Sequence, residues 1–185
     1  MTFETGRFGL LTVGDDEIIH IPQGILGFPD STRFCLVDSG DETLILWLQS
    51  LDRAEIAFPM LEPKIFKPDY SARLSAAELR ELKLENINQS AVFNVLTIGE
   101  DVTLMTANTK APLVINLKHQ IGKQVVLQEN DYNIKHPMFK ELRAHLITIQ
   151  AQRSRDVARP TVEPAAMAIA IRNIPPSLTV KSLQT

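Results

Sequence analysis

Between Arg7 and Gln128 the apolar residues come in short runs, and only one connection among them is long enough and suitably patterned to hold a helix. Nine stretches read as strands: Arg7–Val13, Glu17–Ile21, Arg33–Val37, Leu44–Leu51, Glu55–Leu61, Ala91–Ile98, Val102–Ala107, Leu113–Leu117 and Lys123–Gln128. They are rich in Val, Ile, Leu and Phe and are bounded by Gly, Pro and Asp. Parallel βαβ units need a helix in each crossover, and these connections cannot supply one. The pattern therefore predicts a mostly β fold: a small antiparallel β-barrel-like domain with one or two short helices, over residues 1–142. "GDDE" (Gly14–Glu17), "SGDE" (Ser39–Glu42) and "IGED" (Ile98–Asp101) carry the residues of tight hairpin turns.

One helix start is explicit. Ser75 followed by Glu78 is a capping box, and Leu79 and Leu82 share a face that can pack on the sheet. Pro68 blocks an earlier start. A second helix is expected from Pro137, with Phe139, Leu142, Leu146 and Ile149 as its apolar stripe. Residues 143–185 form a C-terminal extension, a helix start followed by a mostly disordered tail from about Arg153; the alternative for Ala165–Ile171, which is apolar enough for it, is a short docking segment. The single cysteine, Cys35, sits in an apolar run and reads as a small core residue.

Charge is divided along the chain. Up to Pro63 there are three Lys/Arg against eleven Asp/Glu, a net of −8; from Arg143 onward there are six against two, a net of +4. An acidic half repels phosphate and attracts basic partners. The strands lack the interleaved aromatic and basic residues of a single-strand binder, so no direct nucleic-acid role is expected. The four histidines are scattered, with no zinc spacing. Neither Gly6-x-x-Gly9 nor Gly24-x-x-Gly27 continues as a phosphate loop, and Gly24–Pro29 reads as a turn that redirects the chain. No serine occupies a nucleophile elbow. These observations predict no metal, no cofactor and no catalytic centre. With no signal region and no run of membrane-spanning length, a cytoplasmic protein with no membrane association is expected.

Four segments occur in one order: "GILGFPDSTRFCLVD" (Gly24–Asp38), "LILWLQSLDRAEIAFPMLEPKIFKPDY" (Leu44–Tyr70), "TANTKAPLVIN" (Thr106–Asn116) and "GKQVVLQENDY" (Gly122–Tyr132). Together they resemble the flagellar assembly factor FliW family over about residues 3–142. The resemblance implies a bacterial, cytoplasmic, non-catalytic β-barrel-like protein. It implies two alternative partners: flagellin, held before export, and the translational repressor CsrA, which is kept from silencing flagellin mRNA. Apart from the resemblance, the competing reading is a small-molecule-binding or enzymatic β-barrel of unknown substrate.

Two segments are candidate partner-binding surfaces. Glu62–Tyr70 is proline-rich, which predicts a stiff, extended connection presenting Glu62, Phe66, Asp69 and Tyr70; the bland alternative is that Phe66 and Tyr70 anchor it to the core. Asn108–Ala111 reads as a four-residue hairpin loop, with Pro112 opening the next strand. Asn108 and Lys110 are candidates for contact there. Asn116 closes an apolar run, so it either touches a partner or bonds to a neighbouring loop backbone and fixes the strand.

Overall fold

The computed structural model describes residues 1–157 and 179–181, apart from Ser39, 41–43 and Asn130. The strands are β1 (Thr2–Thr5), β2 (Gly9–Thr12), β3 (Ile19–His20), β4 (Arg33–Asp38), β5 (Leu46–Ser50), β6 (Ala57–Leu61), β7 (Ala91–Thr97), β8 (Thr106–Ala107), β9 (Leu113–Asn116), β10 (Ile121–Gln124), β11 (His136–Pro137) and β12 (Thr179–Lys181). The helices are α1 (Ala76–Glu81) and α2 (Phe139–Val157). Seven strands close into a barrel in the order β7-β6-β5-β4-β3-β10-β9, with β9 returning to β7. The barrel bears out the mostly β reading. One neighbour pair, β3 with β10, is parallel. An odd ring forces this, because strand directions cannot alternate all the way round seven members.

Alternation within each strand fills the barrel. Phe34 and Leu36, Leu46 and Leu48, and Leu113 and Ile115 turn inward and pack with Ile19, Met60 and Phe93. Cys35 and Val37, which alternate with the inward residues of β4, face out. The β1–β2 hairpin covers them with Leu11 and Val13, and Trp47 adds its ring. Burial, helped by the nearby Glu17 charge, pushes the Cys35 thiol up to about 12, so it is an inert core side chain. Cys35 thus sits in the core, as read from the sequence.

Three expected connections differ. Gly14–Glu17 is not a hairpin turn, because β2 and β3 lie in different sheets. Asp15–Glu17 winds one 3₁₀ turn instead, and the Glu17 carboxylate accepts the Gly14 N–H at 2.7 Å. The expected strand Val102–Ala107 is reduced to β8. Asp101 accepts the Thr103 N–H at 2.9 Å and so draws Val102–Leu104 into a 3₁₀ turn. The loop at Asn108 is not a hairpin either, since β8 and β9 both pair with β7. Asn94 and Val95 of β7 face the five residues Asn108 to Pro112, which makes this segment a wide bulge in one long antiparallel partner of β7.

The capped helix forms as read. Ser75 N–H reaches the Glu78 carboxylate at 2.7 Å, and Glu78 N–H donates to Ser75 Oγ at 3.3 Å. Its C-terminus is a Schellman motif: Leu84 N–H donates to Leu79 O at 2.8 Å and Lys83 N–H to Arg80 O at 3.0 Å. Lys83 therefore sits at φ 53°, where glycine is the unstrained residue. Lys83 is exposed and makes no side-chain hydrogen bond or ion pair among the described residues. Lys83→Gly is expected to stabilise the protein by about 1 kcal/mol, read as a higher urea midpoint at unchanged slope. A lower midpoint would mean that unfolded-chain entropy outweighs the relieved strain.

The second helix continues to Val157, past the point where the sequence predicts an irregular tail. The proposed docking segment Ala165–Ile171 lies outside the described residues. Within the predicted tail, β12 pairs in parallel with β4. Among the described residues no helix is long and apolar enough to cross a membrane.

Candidate functional site

The proline-rich connection after β6 is not extended. Pro63–Ile65 forms a 3₁₀ turn, Lys67 N–H donates to Pro63 O at 2.8 Å and Tyr70 N–H to Lys67 O at 2.9 Å. Proline at the first position of a turn is pre-set in φ and has no N–H to leave unpaired, so the composition that suggested extension favours winding instead. The connection is nevertheless stiff, because both its aromatics are driven inward. Phe66 packs among Leu61, Leu96, Met105 and Met138, with its ring 6.0 Å from that of His136. Tyr70 is buried beside Leu82, Val114 and Val125, and its ring centre lies 4.7 Å from that of Tyr132.

Tyr70 also ties the connection to the bulge. Its hydroxyl donates to Thr109 O at 2.8 Å, and Asn94 Nδ2 donates to Asn108 O at 2.8 Å. Burial pushes the Tyr70 phenol up to about 12, so it holds its proton and remains a donor. Asn108 Oδ1 accepts the Ala111 N–H at 3.0 Å, closing the bulge on itself, and Lys110 Nζ donates to the carbonyl of Glu129. The Tyr132 hydroxyl clasps Ser71 on both sides, accepting its N–H at 3.0 Å and donating to its carbonyl at 2.9 Å. Phe66, Tyr70, Asn108 and Lys110 are thus all engaged inside the frame. Buried Asn94 and Thr109, which sequence reading missed, complete it. The signal for Asn94 was present: an amide inside the apolar run Ala91–Ile98, the same kind of interruption that singled out Asn116.

The two acids stand outside this frame. Asp69 is exposed and meets Lys67 at 3.2 Å, and the hydrogen bond from that ammonium holds its carboxyl below the usual range. Glu62 is half-buried at the rim of a cleft of about 580 Å³ between the connection and the segment Ile87–Phe93. Tyr70 and Ser71 line the same cleft. Burial raises the Glu62 carboxyl above its ordinary value, and Lys64 offsets only part of that. Among the described residues no side chain or backbone N–H bonds this carboxylate. A half-desolvated carboxylate without a partner on a rigid rim is an open acceptor for a basic group. The barrel interior, by contrast, is filled with apolar side chains. Among the described residues no three His, Cys, Asp or Glu gather as a metal site.

The profile of the family described as "FliW protein" matches residues 2–138, the barrel and everything that builds the cleft. The flagellar assembly factor FliW of Bdellovibrio bacteriovorus is 38% identical over 147 residues, covering 80% of this chain and 84% of its own. That of Thermoanaerobacter pseudethanolicus is 35% identical over 144 residues, covering 77% of this chain and 96% of its own. A crystal structure of the flagellar assembly factor FliW superposes with a TM-score of 0.70 at 31% identity, covering 75% of this chain and 97% of the other.

Proposed function

Because this chain belongs to the FliW family of flagellar assembly factors, we propose that it is a cytoplasmic, non-catalytic protein that binds flagellin before export and, as the alternative partner, the translational repressor CsrA, relieving repression of flagellin mRNA translation. The observation that supports a docking role is the half-buried Glu62 carboxylate, which accepts no hydrogen bond among the described residues and stands on a rigid frame. An RNA-binding repressor must present basic groups to phosphate, and an acidic rim suits such a surface. Glu62 and Asp69 make the contact in this reading. Phe66, Tyr70, Asn108 and Lys110 hold the rim in place, so little order is lost on docking.

The first experiment is co-elution. Purified protein should co-elute on a sizing column with flagellin and, separately, with the repressor, each partner displacing the other. Binding to neither at micromolar concentration removes the proposal. The double substitution Glu62→Gln/Asp69→Asn should weaken repressor binding about fivefold and flatten its salt dependence. Unchanged affinity would move the contact elsewhere. The same variant carries a stability signature. The Glu62 pKa is raised by folding, so its charged form costs stability at pH values above that raised pKa, and the cost disappears below the unfolded value of about 4.3. Glu62→Gln alone should therefore raise the denaturation midpoint at pH 7 and leave it unchanged at pH 3.5.

A further inference from the structure

Among the described residues, the strands of the barrel leave part of the β4 edge uncovered. β4 pairs with β5 from Phe34 opposite Ser50 to Asp38 opposite Leu46. On its other side β3 is only two residues long and reaches no further than Arg33 and Phe34. The reason is local: the 3₁₀ turn Asp15–Glu17 precedes β3 and takes the chain off the sheet. The main chain of Leu36–Asp38 on that side would be left without a partner, in a strand whose Leu36 and Val37 are fully buried. The partner is β12. Thr179, Val180 and Lys181 stand in register with Leu36, Val37 and Asp38, parallel to β4. The family match ends at residue 138, so the edge belongs to the shared core and the strand that covers it does not.

We propose that the β4 edge at Leu36–Asp38 is a binding site for an extended peptide segment that adds a strand parallel to β4, and that the chain's own Thr179–Lys181 occupies it in cis as a tethered competitor. Main-chain pairing supplies affinity in strand addition of this kind, and it needs only an extended, proline-free segment. The tail meets that requirement, with no proline from Ser177 to Thr185. A tethered strand competes at high effective concentration, so a free peptide reaches the edge only in the fraction of molecules whose tail is detached. The site is separate from the Glu62 cleft and does not depend on the partners proposed for it.

The test keeps the full chain. A fluorescent peptide of the tail sequence Ser177–Leu183 is titrated against the wild type and against Val180→Pro/Lys181→Pro. Alternate N–H groups along a strand face the same neighbour, so prolines at two adjacent positions remove the bonding one whichever it is. An edge that is open in a tenth of molecules binds about tenfold more weakly than one always open, and the variant should bind tighter by about that factor. Hydrogen exchange should accelerate at one or more amides of Leu36–Asp38 in the variant and stay slow across β5 and β6. Equal affinity of both proteins for the peptide, or no binding by the variant, overturns the proposal. So does a wild type that is dimeric where the variant is monomeric, since the tail would then pair with a second copy. If the prolines unfold the barrel, a variant with glycine at Thr179, Val180 and Lys181, which keeps every N–H but lowers strand propensity, replaces them with the same expectation and the same refutation.

Discussion

Replacing Gly24 by alanine should destabilise the protein by about 3–5 kcal/mol, the combined cost of a left-handed backbone and an overpacked site. Gly24 has φ +65°, and a Cβ there would lie 2.3 Å from Phe28 O, 2.8 Å from Pro29 Cα and 2.9 Å from the Pro29 carbonyl carbon. All three atoms are backbone, so no side chain can swing aside. The loop is fixed on both sides of the contact. Gly24 N–H donates to Ile21 O at 2.8 Å, and Phe28 N–H donates to Ile25 O at 2.7 Å across a tight turn. Ile25 is buried in the barrel core and Phe28 stacks edge-on against Phe58 at 5.2 Å. Relieving the clash would therefore pull a core residue out of place. Gly27 in the same turn is the control. Its φ is +87°, but its Cβ would meet nothing within 4 Å, so Gly27→Ala should cost only the backbone strain, about 1 kcal/mol. Urea unfolding of the two variants separates the terms. Equal losses would show that close packing at Gly24 is not what the glycine is for.

Asn116→Ala should cost about 2–3 kcal/mol, through buried polar groups left without partners. Asn116 is 3% exposed at the end of β9, and all its hydrogen bonds go to backbone. Nδ2 donates to Leu82 O at 2.9 Å and Lys83 O at 3.1 Å; Oδ1 accepts from Lys118 N at 3.1 Å and His119 N at 3.3 Å. The first pair are the carbonyls of the C-cap of α1 and of the residue after it. The second pair shape the turn between β9 and β10. One amide thus joins the outer helix to the barrel and sets the turn that starts β10. This is the structural one of the two roles left open by its place in the sequence. Asn116→Asp should be no better than alanine at neutral pH, because a carboxylate cannot donate to the two carbonyls. Rescue by Asp would mean that the Oδ1 side carries the stability. A double-mutant cycle with Lys83→Gly should show coupling, since both changes act on the same helix end.

The site was legible in the sequence as composition, not as geometry. The prolines between Pro59 and Pro68 marked a stiff connection, and it is stiff, but it winds where extension was expected. Proline fixes φ near −65°, and that value serves a turn and an extended chain equally; ψ decides between them, and ψ here follows from where Phe66 and Tyr70 find burial. The same pull inward leaves the acids of the segment, Glu62 and Asp69, at its surface.

What the sequence by itself determined was everything set by neighbours within a few residues. The short runs of apolar and β-favouring residues, such as Arg33–Val37, decided that they would be strands, and the period of two in an extended backbone then set which side chains share a face. The Ser75/Glu78 box placed the start of α1, because its bonds span three residues. The tertiary structure alone decided the rest. The seven-strand count made the β3–β10 pair parallel, and shared pairing with β7 turned Asn108–Pro112 from a hairpin loop into a bulge. The edge left by a two-residue β3 is where β12 pairs, far along the chain. Each of these depends on which distant backbone groups come to lie opposite one another. Backbone groups are the same at every residue, so the sequence carries almost no local mark of their pairing.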